Sequence, residues 1–155
     1  MVIQVDTREK ERAIQKILAE FDKQGVQHFS SKLPVGDFMS LENAKLYIDR
    51  KQSLQELCSN VCQQNDRFVR VLVRAQEFGV KLIILCEHGR GIKSLDDVKG
   101  WVNPRLKESP LAVSGERLHR ILSTMSKKYE VDFLFCEKRN TGKEIIRILS
   151  EGSNG

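Results

Sequence analysis

The chain has 155 residues, of which 40% are hydrophobic and 30% are charged, and these fractions are typical of a folded globular protein. Its length predicts a single domain that buries a core without disulfides, and its longest apolar run, Leu82 to Cys86, is too short to span a membrane. The formal net charge of +5 is compatible with a phosphate-rich partner such as nucleic acid.

The amino terminus and the cysteines predict a protein that stays in a reducing compartment. Met1 leads directly into the strand-like run Val2–Val5, without the basic and apolar regions of a secretory signal. The four cysteines lie in hydrophobic or helical segments without the spacing of a zinc site, which favours reduced core thiols. We therefore expect a cytoplasmic protein that is neither secreted nor associated with a membrane.

Apolar periodicity predicts the elements of the first half of the chain. Residues 1–7 have the pattern of a buried strand, and residues 8–24 carry the apolar stripe of an amphipathic helix that Gly25 ends. Turn residues then separate three strands, which we interpret as a meander at residues 26–33, 38–41 and 45–50.

The second half of the chain alternates helices with strands. Ser53 can cap a helix that continues to about Phe78, with a break near Asn65. The later predicted elements are a buried strand at residues 80–87, an irregular segment, a helix capped by Ser114, a buried strand at residues 131–136 and a short helix with a capping box at Thr141. This order predicts an α/β sandwich with a mixed sheet.

Asp49, Arg50 and Lys51 end the last strand of the predicted meander. Because side chains alternate along a strand, Asp49 and Lys51 project to one face and Arg50 projects to the other. With Asp37 at the preceding turn, two carboxylates and one lysine can converge on one point. Mg²⁺ takes oxygen ligands and keeps several waters, and a nearby ammonium can orient one of these waters. This set is the minimum needed to hydrolyse a phosphodiester. The alternative interpretation is an ordinary acidic turn followed by a solvated charge run.

Three arginines of the predicted central helix form a basic stripe. Arg67, Arg70 and Arg74 are spaced i, i+3, i+7 and therefore share one side of the helix. The stripe is either a solvated helix face or a track for DNA phosphates.

The order of these motifs resembles the nuclease domain of the XPF/Mus/Hef family of structure-selective DNA endonucleases, within the PD-(D/E)xK superfamily. That family has a GD pair, then about a dozen residues, then a hydrophobic pair that leads into an acid-Arg-Lys triplet. The matching stretches cover roughly the first 90 residues and are Val5 to Glu9 (VDTRE), Leu33 to Asp37 (LPVGD), Asp49 to Lys51 (DRK) and Arg67.

The resemblance implies a restriction-endonuclease-like α/β fold, with a mixed central sheet and helices on both faces. It implies a metal-dependent DNA endonuclease of repair or recombination that acts on branched or flapped DNA. Asp37 and Asp49 would bind Mg²⁺ or Mn²⁺, and Lys51 would orient the attacking water. The further site residues that it implies are the acidic Asp6 and Glu9 near the metal, the DNA-contacting Arg67, Arg70 and Arg74, and Arg8 and Arg50 as braces or phosphate contacts.

Two residues depart from the family pattern. Asp49 stands where the family has glutamate, and Gln55 stands where the family has aspartate. Glu56 follows, but on a helix it lies about 100° around from Gln55, so we do not expect it to replace the missing acid. These departures leave a catalytically inactive DNA-binding or scaffold subunit as the alternative. An unrelated metabolite-binding α/β protein is a third possibility, without a glycine-rich nucleotide loop to support it.

Members of this family commonly carry an appended helix-hairpin-helix domain and form dimers. We expect residues 1–155 to form a single nuclease domain without that appended domain, so that a homodimer or a separate DNA-binding partner supplies further grip on DNA. Such a domain is compatible with a phage or mobile-element protein that acts in the cytoplasm or wherever DNA is processed.

Overall fold

A six-stranded mixed sheet forms the centre of the molecule in a computed structural model that describes residues 1–89 and 91–154. The strands are β1 (Val2–Val5), β2 (Gln27–Ser30), β3 (Phe38–Ser40), β4 (Asn43–Lys51), β5 (Lys81–Glu87) and β6 (Asp132–Cys136). They lie in the order β2-β1-β3-β4-β5-β6. β3 is antiparallel to both of its neighbours, whereas the other neighbouring pairs are parallel.

Helices cover both faces of this sheet. They are α1 (Gln15–Lys23), α2 (Leu54–Cys62), α3 (Asn65–Glu77), α4 (Gly115–Tyr129) and α5 (Thr141–Asn154), with short 3₁₀ segments at Glu11–Ile14, Leu95–Gly100, Pro104–Lys107 and Lys138–Asn140. The buried side chains form two clusters, one beneath α1 and α5 and one beneath α2, α3 and α4. The predicted restriction-endonuclease-like architecture is therefore confirmed. No helix in the described part of the chain has the length and apolar character needed to cross a membrane.

The pleat of β4 determines which face of the sheet receives each of its last side chains. Tyr47 belongs to the cluster beneath α2, α3 and α4, whereas Ile48 belongs to the cluster beneath α1 and α5. Because side chains alternate along the strand, Asp49 and Lys51 project to the same face of the sheet as Tyr47. Arg50 projects to the opposite face, with Ile48. The sheet thereby separates an acid and a lysine on one face from an arginine on the other.

The predicted meander is wrong in its strand order. β2 pairs in parallel with β1 at the edge of the sheet, and β3 pairs with the other side of β1. The physical reason is that α1 returns the chain to the end of the sheet where β1 starts, so the next strand runs parallel to β1. The apolar pattern locates these strands along the chain, but it contains no information about which strand lies between which others.

Two of the three predicted helix caps are confirmed by the structure. The Ser53 and Ser114 hydroxyls accept hydrogen bonds from the backbone N–H groups of Glu56 (3.0 Å) and Arg117 (3.2 Å). The capping box predicted at Thr141 is wrong, because Thr141 is the first helical residue of α5 and its buried hydroxyl donates to the Glu87 carboxylate at 2.6 Å.

Candidate active site

A cleft of about 380 Å³ lies between the end of β4 and the helices α2 and α3. Its wall combines both signs of charge in a small space. The acidic lining residues are Glu9, Asp37, Asp49 and Glu56, and the basic ones are Arg8, Arg50, Lys51, Arg67 and Arg74. The motif residues that the sequence analysis assigned to catalysis thus meet in one place, with the exception of Asp6.

The turn before β3 holds Asp37 against β4. Gly36 has a φ of +71°, and a Cβ atom there would lie 3.0 Å from the carbonyl oxygen of Ile48, so glycine is needed for both conformation and space. The Asp37 backbone N–H donates to that carbonyl oxygen at 2.7 Å. One oxygen of the Asp37 carboxylate accepts a hydrogen bond from the backbone N–H of Arg50, also at 2.7 Å. Asp37 is therefore tied to the strand that carries the other site residues.

Asp49 and Lys51 form an ion pair at the floor of the cleft. The Lys51 Nζ lies 3.3 Å from Asp49 Oδ1, and the two side chains are 15% and 14% exposed. The same Nζ lies 5.7 Å from the centroid of the Phe68 ring, within the range of a cation–π interaction. These contacts hold the ammonium beside the carboxylates while leaving it open to the cleft.

The Asp37 carboxylate lies in an environment that disfavours its charge. Burial raises its pKa well above the usual range, and the negative charges of Asp49 and Glu9 raise the pKa further. The hydrogen bond from the Arg50 backbone and the charge of Lys51 oppose this shift. A cation bound beside these carboxylates would relieve the repulsion.

The donor set at the floor of the cleft fits a hard divalent cation that shares its coordination with a substrate. Among the described residues, no group of three or more His, Cys, Asp or Glu side chains has the arrangement of a self-sufficient metal site. Mg²⁺ does not require one, since it is commonly bound by one or two carboxylates together with waters and substrate phosphates. Of the four carboxylates that line the cleft, Asp37 and Asp49 fit that role, whereas Glu9 pairs with Arg50 and Glu56 accepts from the Gln52 backbone N–H.

Arg50 projects away from Asp49 and Lys51 and is buried beneath them. Its side chain is 4% exposed and donates to Glu87 Oε1 at 2.7 Å and to Glu9 Oε2 at 3.1 Å. The other oxygen of Glu87 accepts the hydroxyl hydrogen bond from Thr141. Of the two roles expected for Arg50, this geometry favours the brace, because a guanidinium enclosed by two carboxylates is not free to contact a phosphate.

Asp6 lies outside the cleft and is fully buried. One of its carboxylate oxygens accepts from the Leu33 backbone N–H at 2.8 Å, and the other accepts from Arg8 Nε at 2.6 Å and from the Arg8 backbone N–H at 3.1 Å. Burial acts to raise the pKa of Asp6, but these hydrogen bonds hold it below its usual range. The arrangement makes Asp6 an anchor for the loop after β1, whereas the Arg8 side chain is 64% exposed at the cleft rim.

The basic stripe on α3 divides between two surroundings. Arg67 and Arg74 line the cleft, and Arg70 is exposed on the same helix without lining it. In the described part of the chain, none of the three arginines forms an ion pair with a carboxylate. They therefore present unneutralised positive charge on and beside the cleft wall.

Two acidic residues contribute to the site in ways that the sequence pattern did not indicate. Gln55 lines a separate cavity, whereas Glu56 lines the cleft and its carboxylate accepts from the Gln52 backbone N–H at 2.8 Å. The helix therefore turns Glu56, and not Gln55, toward the site. Glu87 is the second acidic residue that the sequence pattern missed. Its position at the end of β5, the buried strand beside β4, could have indicated that it lies near the site.

Comparison with known proteins places the chain in a family. The ERCC4 domain model matches residues 5–149. The fold is similar to a solved structure of XPF from Aeropyrum pernix, with a TM-score of 0.69 and 19% identity over 99% of this chain and 65% of that one. A structure of the same Aeropyrum pernix protein in complex with DNA gives a TM-score of 0.69 and 18% identity over 99% of this chain and 64% of that one. The chain thus spans slightly less than two thirds of these solved chains, and no curated sequence matches it significantly. With its match to the family model over nearly the whole sequence, the chain belongs to the ERCC4 domain family, which confirms the resemblance to the XPF/Mus/Hef nuclease domain.

Proposed function

We propose that the chain is a metal-dependent DNA endonuclease that hydrolyses phosphodiester bonds. The observation that carries the proposal is the meeting of Asp37, Asp49 and Lys51 at the floor of a cleft with an arginine-lined wall. Membership of the ERCC4 domain family supports it independently.

The roles of the site residues follow from their positions. Asp37 and Asp49 would hold Mg²⁺ or Mn²⁺, since both carboxylates border the cleft and crowd each other electrostatically. Held by these two carboxylates, a divalent cation would supply Lewis-acid activation of water and positive charge opposite the phosphate. The Lys51 ammonium would orient the attacking water and stabilise the charge that develops on the phosphate oxygens. Glu9, paired with Arg50, keeps a further acid at the cleft wall.

DNA is the substrate that the charge distribution favours. Arg67 and Arg74 would contact phosphates on the α3 side of the cleft, and the exposed Arg8 would contact them at the rim. The solved complex of XPF from Aeropyrum pernix with DNA supports this assignment. Within the proposal, the preferred substrates are branched or flapped DNA, and a homodimer or a separate DNA-binding partner adds to the grip on them.

Incubation with labelled flapped, forked and duplex DNA tests the proposed function. Each substrate is incubated with Mg²⁺, with Mn²⁺ or with a chelator, using the wild type, Asp37→Asn and, as a matched control, Glu77→Gln at the exposed end of α3. We expect cleavage that requires metal, that Asp37→Asn abolishes and that Glu77→Gln leaves unchanged. Binding without cleavage under all metal conditions would instead support an inactive scaffold subunit, and neither binding nor cleavage would refute both functions.

A further inference from the structure

A second basic surface lies on α4, apart from the cleft. A groove of about 480 Å³ runs between α3 and α4, and we call it the α3–α4 groove. Its polar and aromatic lining residues are Asn65, Arg117, Arg120, Thr124, Lys128 and Tyr129. None of the lining residues is acidic, whereas the cleft contains four carboxylates. The groove therefore has the charge of an anion-binding surface without the acids of a hydrolytic site.

The cations of the α3–α4 groove have no acidic partner. Arg117, Arg120 and Lys128 are exposed, and none forms an ion pair with a carboxylate in residues 1–89 and 91–154. By contrast, the exposed Arg147 on the opposite face of the sheet pairs with two glutamates. Unpaired cations grouped on one surface favour a ligand that brings its own negative charges.

The α3 helix forms a ridge between the cleft and the groove. At about 100° per residue, Arg67 and Arg74 lie within about 20° of each other on the cleft side, whereas Asn65 and Val69 lie about 160–200° away on the groove side. Arg70 lies about 60° from Arg67, toward the solvent. It is exposed and lines neither cavity, which places it on the crest of the ridge. Arg70 thus lies between the cleft and the groove, on a solvent side of α3 that also carries the exposed Asp66 and Glu77 near its two ends.

We propose that the α3–α4 groove binds one strand of DNA that continues from the cleft over the ridge of α3. The path from the cleft rests on the proposed function, whereas the binding of a single strand by the groove does not. A single strand fits because its flexible backbone can bring phosphates to Arg117 and Arg120, beside the Lys128 Nζ that lies 5.4 Å from the centroid of the Tyr129 ring. The groove is too small to enclose a duplex, and its charge matches the phosphate backbone.

Salt-dependent binding of single-stranded DNA tests this proposal. The double variant Arg117→Gln/Arg120→Gln removes two charges from the groove, and Lys16→Gln/Lys23→Gln removes two exposed charges from α1 on the opposite face of the sheet. Fluorescence anisotropy of a labelled single strand is measured over a salt series in chelator, so that no cleavage occurs. We expect the groove variant to bind about fivefold more weakly than the α1 variant at moderate salt, and its log–log salt slope to be shallower by about 1.4, or about 0.7 for each lost phosphate contact.

The outcomes separate this proposal from the proposed function. If the wild type fails to cleave DNA but the groove variant loses affinity and salt slope, the groove proposal stands and the nuclease proposal fails. If the wild type cleaves DNA but the groove and α1 variants have the same affinity and slope, with melting temperatures like that of the wild type, the groove proposal is overturned. It is also overturned if sedimentation shows that the groove variant dissociates a dimer while its DNA binding is unchanged, because the groove would then be an interface between copies of the chain.

Discussion

The charge of Asp37 opposes the stability of the fold at the same position where we propose that it binds a metal ion. Its carboxylate is buried against Asp49 and Glu9, and its pKa is raised in the folded chain. Because the folded pKa exceeds the unfolded value, the stabilisation is complete at acidic pH and is lost as the pH rises through the folded pKa. Charged Asp37 is thus a stability cost that binding of a cation would offset.

We predict that Asp37→Asn stabilises the metal-free protein at neutral pH. The amide keeps an oxygen for the Arg50 backbone N–H but carries no charge. In chelator, we expect its melting temperature to exceed that of the wild type by about 2–4 °C, which corresponds to about 1 kcal/mol in a chain of this length. The difference should shrink as the pH falls. Calorimetry across the pH range measures it, and a variant less stable than the wild type at neutral pH would contradict this account of Asp37.

The second prediction at the residue scale concerns Arg50, whose guanidinium is enclosed by the carboxylates of Glu87 and Glu9. Arg50→Met leaves Glu87 buried without its counter-charge, so we expect the free energy of unfolding to fall by about 3–5 kcal/mol. Urea unfolding gives this value. The matched control is Arg147→Gln, which removes an exposed arginine that also pairs with two glutamates and should cost less than about 1 kcal/mol. Similar losses in both variants would show that Arg50 is not a buried brace.

At the scale of elements, the turn before β3 needs glycine at position 36 and also sets the position of Asp37, which we propose as a metal-binding acid. We predict that Gly36→Ala destabilises the chain and also lowers cleavage, because the added Cβ displaces the turn from the Ile48 carbonyl and moves Asp37 with it. Gly25→Ala is the control, since Gly25 has the same φ of +71° and open space around its Cβ position.

The backbone strain alone should cost about 1–2 kcal/mol in both glycine variants. Urea unfolding and cleavage rates are measured for each of them. Gly25→Ala should cleave DNA at the wild-type rate, and Gly36→Ala should not. Equal cleavage rates for the two variants would mean that the position of Asp37 does not depend on this turn.

The helices after β4 were predictable because their signals are local, whereas the helix predicted over residues 8–24 is shorter and runs from Gln15 to Lys23 after a 3₁₀ segment at Glu11–Ile14. The serine caps of α2 and α4 and the break between α2 and α3 follow from a few neighbouring residues. Thr141 failed as a cap for a reason that lies far along the chain, since its hydroxyl is used by Glu87 of β5. The division of the arginine stripe was likewise not readable from its spacing, because the packing of α3 on the sheet decides which arginine reaches the cleft.

At the scale of the whole molecule, the sequence predicted only the part of the candidate site that lies on the single strand β4. Alternation along β4 correctly separated Asp49 and Lys51 from Arg50. The order of the strands was not predictable, because the apolar pattern does not specify pairing between distant segments. The enclosure of Arg50 by Glu87 follows from the parallel pairing of β4 with β5, and the cleft follows from the way α2 and α3 cover the end of β4.

Lys51 tests the proposed function most directly, since the role proposed for its ammonium is chemical and packing cannot supply it. The direct measurement is single-turnover cleavage of a labelled flapped DNA under saturating enzyme and Mg²⁺, with binding of the same DNA measured in chelator. We predict that Lys51→Met lowers the cleavage rate constant by about 100-fold or more and changes the Kd less than about threefold, whereas Arg74→Gln mainly weakens binding. A Lys51→Met rate close to that of the wild type, or cleavage that continues in chelator, would contradict the assignment of a metal-dependent hydrolytic centre to Asp37, Asp49 and Lys51.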